Sequence, residues 1–193
     1  MPAVIEWPAR ITAPRKSMTN AVTSDMLPTL CALADVPVPD DRPLDGINLV
    51  PLLDGQLRER TAPVFFWCFD NRERLEADPK PWIDPEWQEG TTPLVKLMGG
   101  IATRNFRNYH HPNIIESDYN GARVMLDNRH KLVIHDAKGD GDPIVELFDL
   151  RADPAEETNL AESEPAIVKT MQTELRTWQQ SVLKSLTGAD YGK

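Results

Sequence analysis

The sequence predicts an α/β chain in two parts: an early strand and helix, then a small antiparallel sheet packed by one C-terminal helix. Three observations carry this. Residues 24–34 place apolar side chains at helical spacing, RHKLVIHD and IVELFDL alternate as strands beside turn residues, and residues 163–183 form a long amphipathic stretch.

Residues 3–7 read as a short strand ended by Pro8, and polar residues 12–22 as a loop. In TSDMLPTLCALADV, Thr23 or Ser24 is placed to cap a helix, and Asp25 suits its positive end. Pro28 falls early enough to be tolerated. Met26 or Leu27, Leu30, Leu33 and Ala34 give this helix an apolar stripe. Cys31, among them, reads as a packed core thiol. The proline-rich stretch VPVPDDRPLDGINLVPLLDG is a surface loop closing on a short apolar turn.

PVFFWCF, residues 63–69, is apolar at nearly every place, which fits a strand covered on both faces. ARVMLDNRHKLVIHD predicts a hairpin turning at Asp127-Asn128, and IVELFDL a third strand. Ser163 is placed to cap the last helix, with Pro165 in its first turn. Ile167, Met171, Leu175, Trp178 and Val182 line one face.

Residues 70–120 differ from the rest. The first part, to Glu89, is acidic and punctuated by proline. The segment 91–115 has no acid at all and holds Lys96, Arg104, Arg107, His110 and His111. Such a basic island can hold an anionic ligand, since arginine forks match sulfate, phosphate and carboxylate. Ion pairing with the acidic stretch before it is the other reading.

The net charge of −9 over 193 residues argues against a nucleic-acid partner. No apolar run approaches the roughly 20 residues of a membrane helix, and MPAVIEWPAR has no signal-peptide character. Cys31 and Cys68 are too few for a disulfide framework or a structural zinc site, and leave the redox compartment open.

Motifs of chemistry are missing. His110-His111 are sequence neighbours, His130 and His135 would face opposite sides of a strand, and no HExxH, CxxC, P-loop or GxSxG pattern occurs. The acids around Asp149, Asp153, Glu156 and Glu157 lie where turns and helix starts use them. Asp140-Gly141-Asp142 is a turn without the EF-hand spacing.

Three stretches taken together resemble the C-terminal part of a formylglycine-dependent, arylsulfatase-like sulfatase of the alkaline phosphatase superfamily. They are PAVIEWPARI, SDMLPTLCALADVPVPDDRPLDGINLVPLLDG, and RHKLVIHD with ELFDLRADPAEETNLAE. The resemblance covers residues 2–55 and 122–183. It implies hydrolysis of sulfate monoesters by a formylglycine hydrate, with a calcium ion steadying the sulfate. In that family the catalytic and metal-binding residues all precede the Trp-Pro strand. No such residue is carried onto this chain, and the chain alone is expected to be inactive.

The resemblance makes residues 1–55 the C-terminal edge of the family's large α/β domain, its last strand and helix. Residues 56–193 become the smaller C-terminal subdomain, with an insertion at 70–120. An apolar patch is expected on the helix near Asp25, which in the family packs on the large sheet. The implied partners are the N-terminal catalytic domain and a sulfated small molecule or glycan. Lys96, Arg104, Arg107, His110 and His111 would bind that substrate. The implied location is periplasmic or extracellular.

Two other readings stand beside it: a non-catalytic anion- or glycan-binding module, and an accessory domain docking on a separate catalytic chain. Cys68 and Arg72 have the end spacing of the Cys-x-Pro-x-Arg maturation motif, but Asp70 replaces its proline. Cys68 is therefore read as the end of a buried strand.

Overall fold

Four strands make one antiparallel sheet in the order β1-β2-β3-β4: β1 (Val64–Trp67), β2 (Arg123–Leu126), β3 (His130–His135) and β4 (Ile144–Asp149). The computed structural model describes residues 3–40, 43–69, 113–136, 141–187 and 189. It divides into two units, residues 1–68 with 121–178, and residues 69–120 with 179–193.

The predicted hairpin forms because Asp127 closes it. Its carboxylate accepts the backbone N–H groups of Arg129 and His130, at 2.6 and 2.5 Å, and its own N–H donates to the His130 carbonyl. That turn sets the register. Phe65, Met125, Leu132 and Leu147 lie across one row of the sheet, all on one face.

Helix α3 (Pro165–Leu186) lays Met171 and Leu175 over that face, completing the core with Met125, Leu132, Ile134 and Leu147. Each such buried side chain contributes roughly 1.5–3 kcal/mol. Phe65 stacks on Trp178 with ring centroids 5.0 Å apart. Ser163 does not cap this helix; its hydroxyl donates to the Leu160 carbonyl, and the first helical bonds run to the Glu164 carbonyl.

The outer edge of β4 is covered by the connector that precedes α3. Asn159 Oδ1 accepts the Leu147 N–H at 3.0 Å, and its Nδ2 donates to the Val145 carbonyl at 3.3 Å. The Leu160 N–H donates to the Leu147 carbonyl at 2.8 Å. An amide side chain thus mimics a strand and blocks pairing with another chain.

At the N-terminal end, a 3-10 turn over Thr23–Asp25 leads into α1 (Met26–Leu33). Neither Thr23 nor Ser24 caps it; the Asp25 carboxylate accepts the Val22 N–H at 2.8 Å. Asp35, at φ 54°, ends the helix in the left-handed region. The following loop closes on α2 (Val50–Leu53). Gly46 lies so close to the Thr23–Asp25 turn that a Cβ there would sit 1.9 Å from the Ser24 carbonyl oxygen. Only glycine fits this crossing.

The structure departs from three expectations. Residues 3–7 form no strand, because a strand needs a neighbour's backbone groups and none is supplied there among the described residues. β1 is not covered on both faces, since Phe66 remains 51% exposed. Cys68 is exposed rather than buried, although its N–H continues the ladder to the Ala122 carbonyl. Cys31 is buried as expected.

In the second unit, a 3-10 turn spans Glu116–Tyr119, with the Asp118 carboxylate accepting the Ile115 N–H at 2.7 Å. Gln179 Nε2 donates to the Tyr119 carbonyl at 3.1 Å.

Candidate functional site

The substrate-binding residues expected from sequence, Lys96, Arg104, Arg107, His110 and His111, lie outside the described residues. The described residues carry three other features bearing on function: a buried ion pair, an apolar face on α1 and a groove rich in cations.

Asp25 is the hub of the first unit's N-terminal part. Its fully buried carboxylate accepts two bonds from the Arg60 guanidinium, Nη1 to Oδ2 at 2.7 Å and Nη2 to Oδ1 at 2.9 Å. It also takes the backbone N–H groups of Ile47 and Val22, both at 2.8 Å. Burial is the largest single influence and pushes its pKa up. The Arg60 bonds and the two N–H groups together outweigh it, and the carboxyl sits below its ordinary range. Thr29 completes the hub, donating to the Asp25 carbonyl at 2.6 Å and accepting the Leu49 N–H at 2.9 Å.

This hub fixes which way α1 faces. Pro28, Thr29 and Cys31 turn inward. Met26, Leu27 and Leu30 stand 52%, 46% and 54% exposed, and Val4, Ile5, Val36 and Val38 are exposed as well. The expected apolar patch is present.

The groove, about 840 Å³, lies between the loop 15–20, the turn after α2 and the tip of the β2–β3 hairpin. Arg15, Lys16, Arg58 and Arg151 line it together with Glu59, Asp127 and Glu156. Each of the acids has a partner. Glu59 pairs with Arg151, Glu156 with Lys131 at 2.5 Å, and Asp127 closes the hairpin turn. Arg15 is held by a 3.0 Å bond from Nη2 to the Leu52 carbonyl. Its guanidinium also fills the space beside Gly55, where a Cβ would approach Nη1 to 2.5 Å.

The histidines take carboxylate neighbours on opposite faces of β3, as their spacing predicted. His130 lies 3.7 Å from Asp127, and His135 lies 3.1 Å from Glu146. Among the described residues no group of three or more His, Cys, Asp or Glu side chains is placed to hold a metal ion. The acids after β4 serve turns. Asp149 accepts the N–H groups of Arg151 and Ala152, and Asp153 accepts that of Thr158.

Sequence reasoning missed the Asp25–Arg60 pair, the groove cations and the role of Asn159. Asp25 and Asn159 lie within SDMLPTLCALADVPVPDDRPLDGINLVPLLDG and ELFDLRADPAEETNLAE, two of the stretches that carry the resemblance. Arg60, 35 positions after Asp25, carries no local signal.

The chain is 40% identical over 70 residues to human N-acetylgalactosamine-6-sulfatase, covering 36% of this chain and 13% of that protein. To human steryl-sulfatase it is 39% identical over 69 residues, covering 35% of this chain and 12% of that protein. Arylsulfatase K of Xenopus laevis aligns more broadly, at 28% identity over 179 residues, 92% of this chain and 25% of that protein. The chain thus spans between an eighth and a quarter of the length of these relatives.

A solved structure of a sulfatase from Bacteroides fragilis superposes with a TM-score of 0.48 at 15% identity. It covers 84% of this chain and 25% of that one. No family model matches. These sequence relationships support a C-terminal sulfatase region of the alkaline phosphatase superfamily.

Proposed function

We propose that this chain is the C-terminal portion of a sulfuric ester hydrolase that cleaves sulfate monoesters of a carbohydrate. In this reading it works only when docked on an α/β catalytic portion. One observation carries the docking: α1 turns Met26, Leu27 and Leu30 outward while its other side is locked by Asp25, Arg60 and Thr29. Covering the exposed half of each such side chain contributes roughly 1 kcal/mol. Residues 1–55 then form the edge of the large α/β domain, and residues 56–193 the smaller subdomain. Formylglycine and calcium belong to the catalytic portion, which supplies the nucleophile and the charge stabilisation.

The carbohydrate assignment rests on the 40%-identical relative, by name a sulfatase of N-acetylgalactosamine. Lys96, Arg104, Arg107, His110 and His111 read further charges on that substrate. Their support is the acid-free sequence from 91 to 115. Replacing Arg104 and Arg107 by alanine in the complete enzyme raises KM for a polysulfated substrate and leaves kcat unaltered. An unchanged KM removes these residues from substrate binding.

A further inference from the structure

We propose that the groove between residues 15–20, 55–58 and the hairpin tip is a second binding site, taking the sulfate groups of a sulfated oligosaccharide. It is built from different residues than the 91–115 stretch. The proposal deepens the sulfatase reading and rests on it for the ligand's class.

The charge pattern comes first. The chain as a whole carries −9. In this groove, however, Glu59 and Glu156 are neutralised by Arg151 and Lys131, which leaves Asp127, bonded to the hairpin turn, against the remaining cations. Three cations remain. Among the described residues neither Lys16 nor Arg58 has a carboxylate partner, and Arg15 bonds a backbone carbonyl while Asp54, which is paired with Arg10, lies within its electrostatic reach. A guanidinium has five N–H donors, so Arg15 keeps most of its fork for a ligand. Three like charges around one hollow repel each other, and a bound anion relieves that repulsion.

The second part is preorganisation. Arg15 is held over Gly55 by the Leu52 carbonyl. The loop carrying Lys16 is pinned by Ser17 Oγ donating to Thr19 Oγ1 at 3.0 Å, and by Thr19 Oγ1 donating to the Arg58 carbonyl at 2.9 Å. The two cation-bearing segments are thus tied to each other before any ligand arrives, which lowers the ordering cost of binding. Arginine forks match the tetrahedral oxygens of a sulfate ester. A volume near 840 Å³ accommodates sugar rings as well as their charged groups.

The test is a calorimetric titration of the chain with a heparin-derived hexasaccharide at low salt, repeated with an oligogalacturonate of matched charge. The wild type is expected to bind the sulfated ligand at least about fivefold more tightly than the carboxylated one. Lys16→Ala/Arg58→Ala is expected to weaken it by about tenfold or more. Both side chains are exposed, and circular dichroism checks that the fold is kept.

Lys169→Ala, exposed and outside the groove lining, is expected to leave the affinity unaltered. An absent wild-type interaction, an unchanged affinity in the groove variant, or equal affinity for the uronate ligand each overturns the proposal. The titration requires no hydrolysis, so its failure is distinct from failure of the sulfatase reading.

Discussion

The Arg60 guanidinium and the Asp25 carboxylate meet in a buried two-pronged ion pair, with contacts of 2.7 and 2.9 Å, across 35 residues of sequence. It ties the approach to β1 onto the base of α1, while Asp25 also gathers the Val22 and Ile47 N–H groups. Everything that faces outward from α1 depends on this tie.

Asp25→Asn leaves the Arg60 charge buried without its counterion. Breaking one side of such a pair costs about 3–5 kcal/mol, read as a lowered urea midpoint at constant slope. A combined Asp25→Leu/Arg60→Met variant is expected to lose less than the two single variants together. A loss below about 1 kcal/mol for Asp25→Asn contradicts the hub.

Gly46→Ala forces a Cβ to within 1.9 Å of the Ser24 carbonyl oxygen. Backbone must move, since neither atom is at the end of a flexible side chain. The expected cost is about 1–3 kcal/mol, measured by thermal unfolding. An unchanged midpoint means the loop does not cross the Thr23–Asp25 turn this closely.

Asn159→Ala removes the acceptor for the Leu147 N–H and the donor to the Val145 carbonyl. Loss of stability by about 1–3 kcal/mol follows. The freed β4 edge should also speed aggregation, visible as rising light scattering on storage. A stable, non-aggregating variant would show that the connector guards nothing.

Arg129 donates to Asp149 at 2.8 Å, and that bond, with the Arg151 and Ala152 N–H groups, lowers the Asp149 pKa to about 2. An unfolded aspartate titrates near 3.9. Its stabilisation is therefore complete above that value and fades as pH falls towards about 2. In Arg129→Ala the acid limb of the stability profile moves to higher pH. An unmoved limb removes the pair from the acid response.

The sheet was legible because its signals are local. Alternation over RHKLVIHD and the Asp127-Asn128 turn fix the hairpin register within a dozen residues, and α3 announces itself by its apolar repeat. The long-range features were not legible. The pairing of Asp25 with Arg60 and the fit of Gly46 against Ser24 depend on segments far apart in sequence. Residues 3–7 have the composition of a strand, but composition supplies no neighbour to bond with. The exposure of Leu27 and Leu30 followed from the family resemblance, since periodicity alone turns an apolar stripe inward. Of the candidate site, the sequence showed the basic stretch but not the groove, whose cations come from loops far apart in sequence.

The central claim is that the α1 face docks on a sulfatase catalytic portion. Its most direct test is hydrolysis of 4-nitrophenyl sulfate by this chain joined to an α/β portion bearing Cys-x-Pro-x-Arg, with and without Leu27→Asp/Leu30→Asp. Those positions are exposed, so the substitutions should leave the isolated chain folded by circular dichroism. The account predicts turnover by the joined protein, none by the chain alone, and a loss of at least about tenfold in the variant, some 1.4 kcal/mol of coupling. Undiminished turnover in the variant, or hydrolysis by the chain alone, would contradict it.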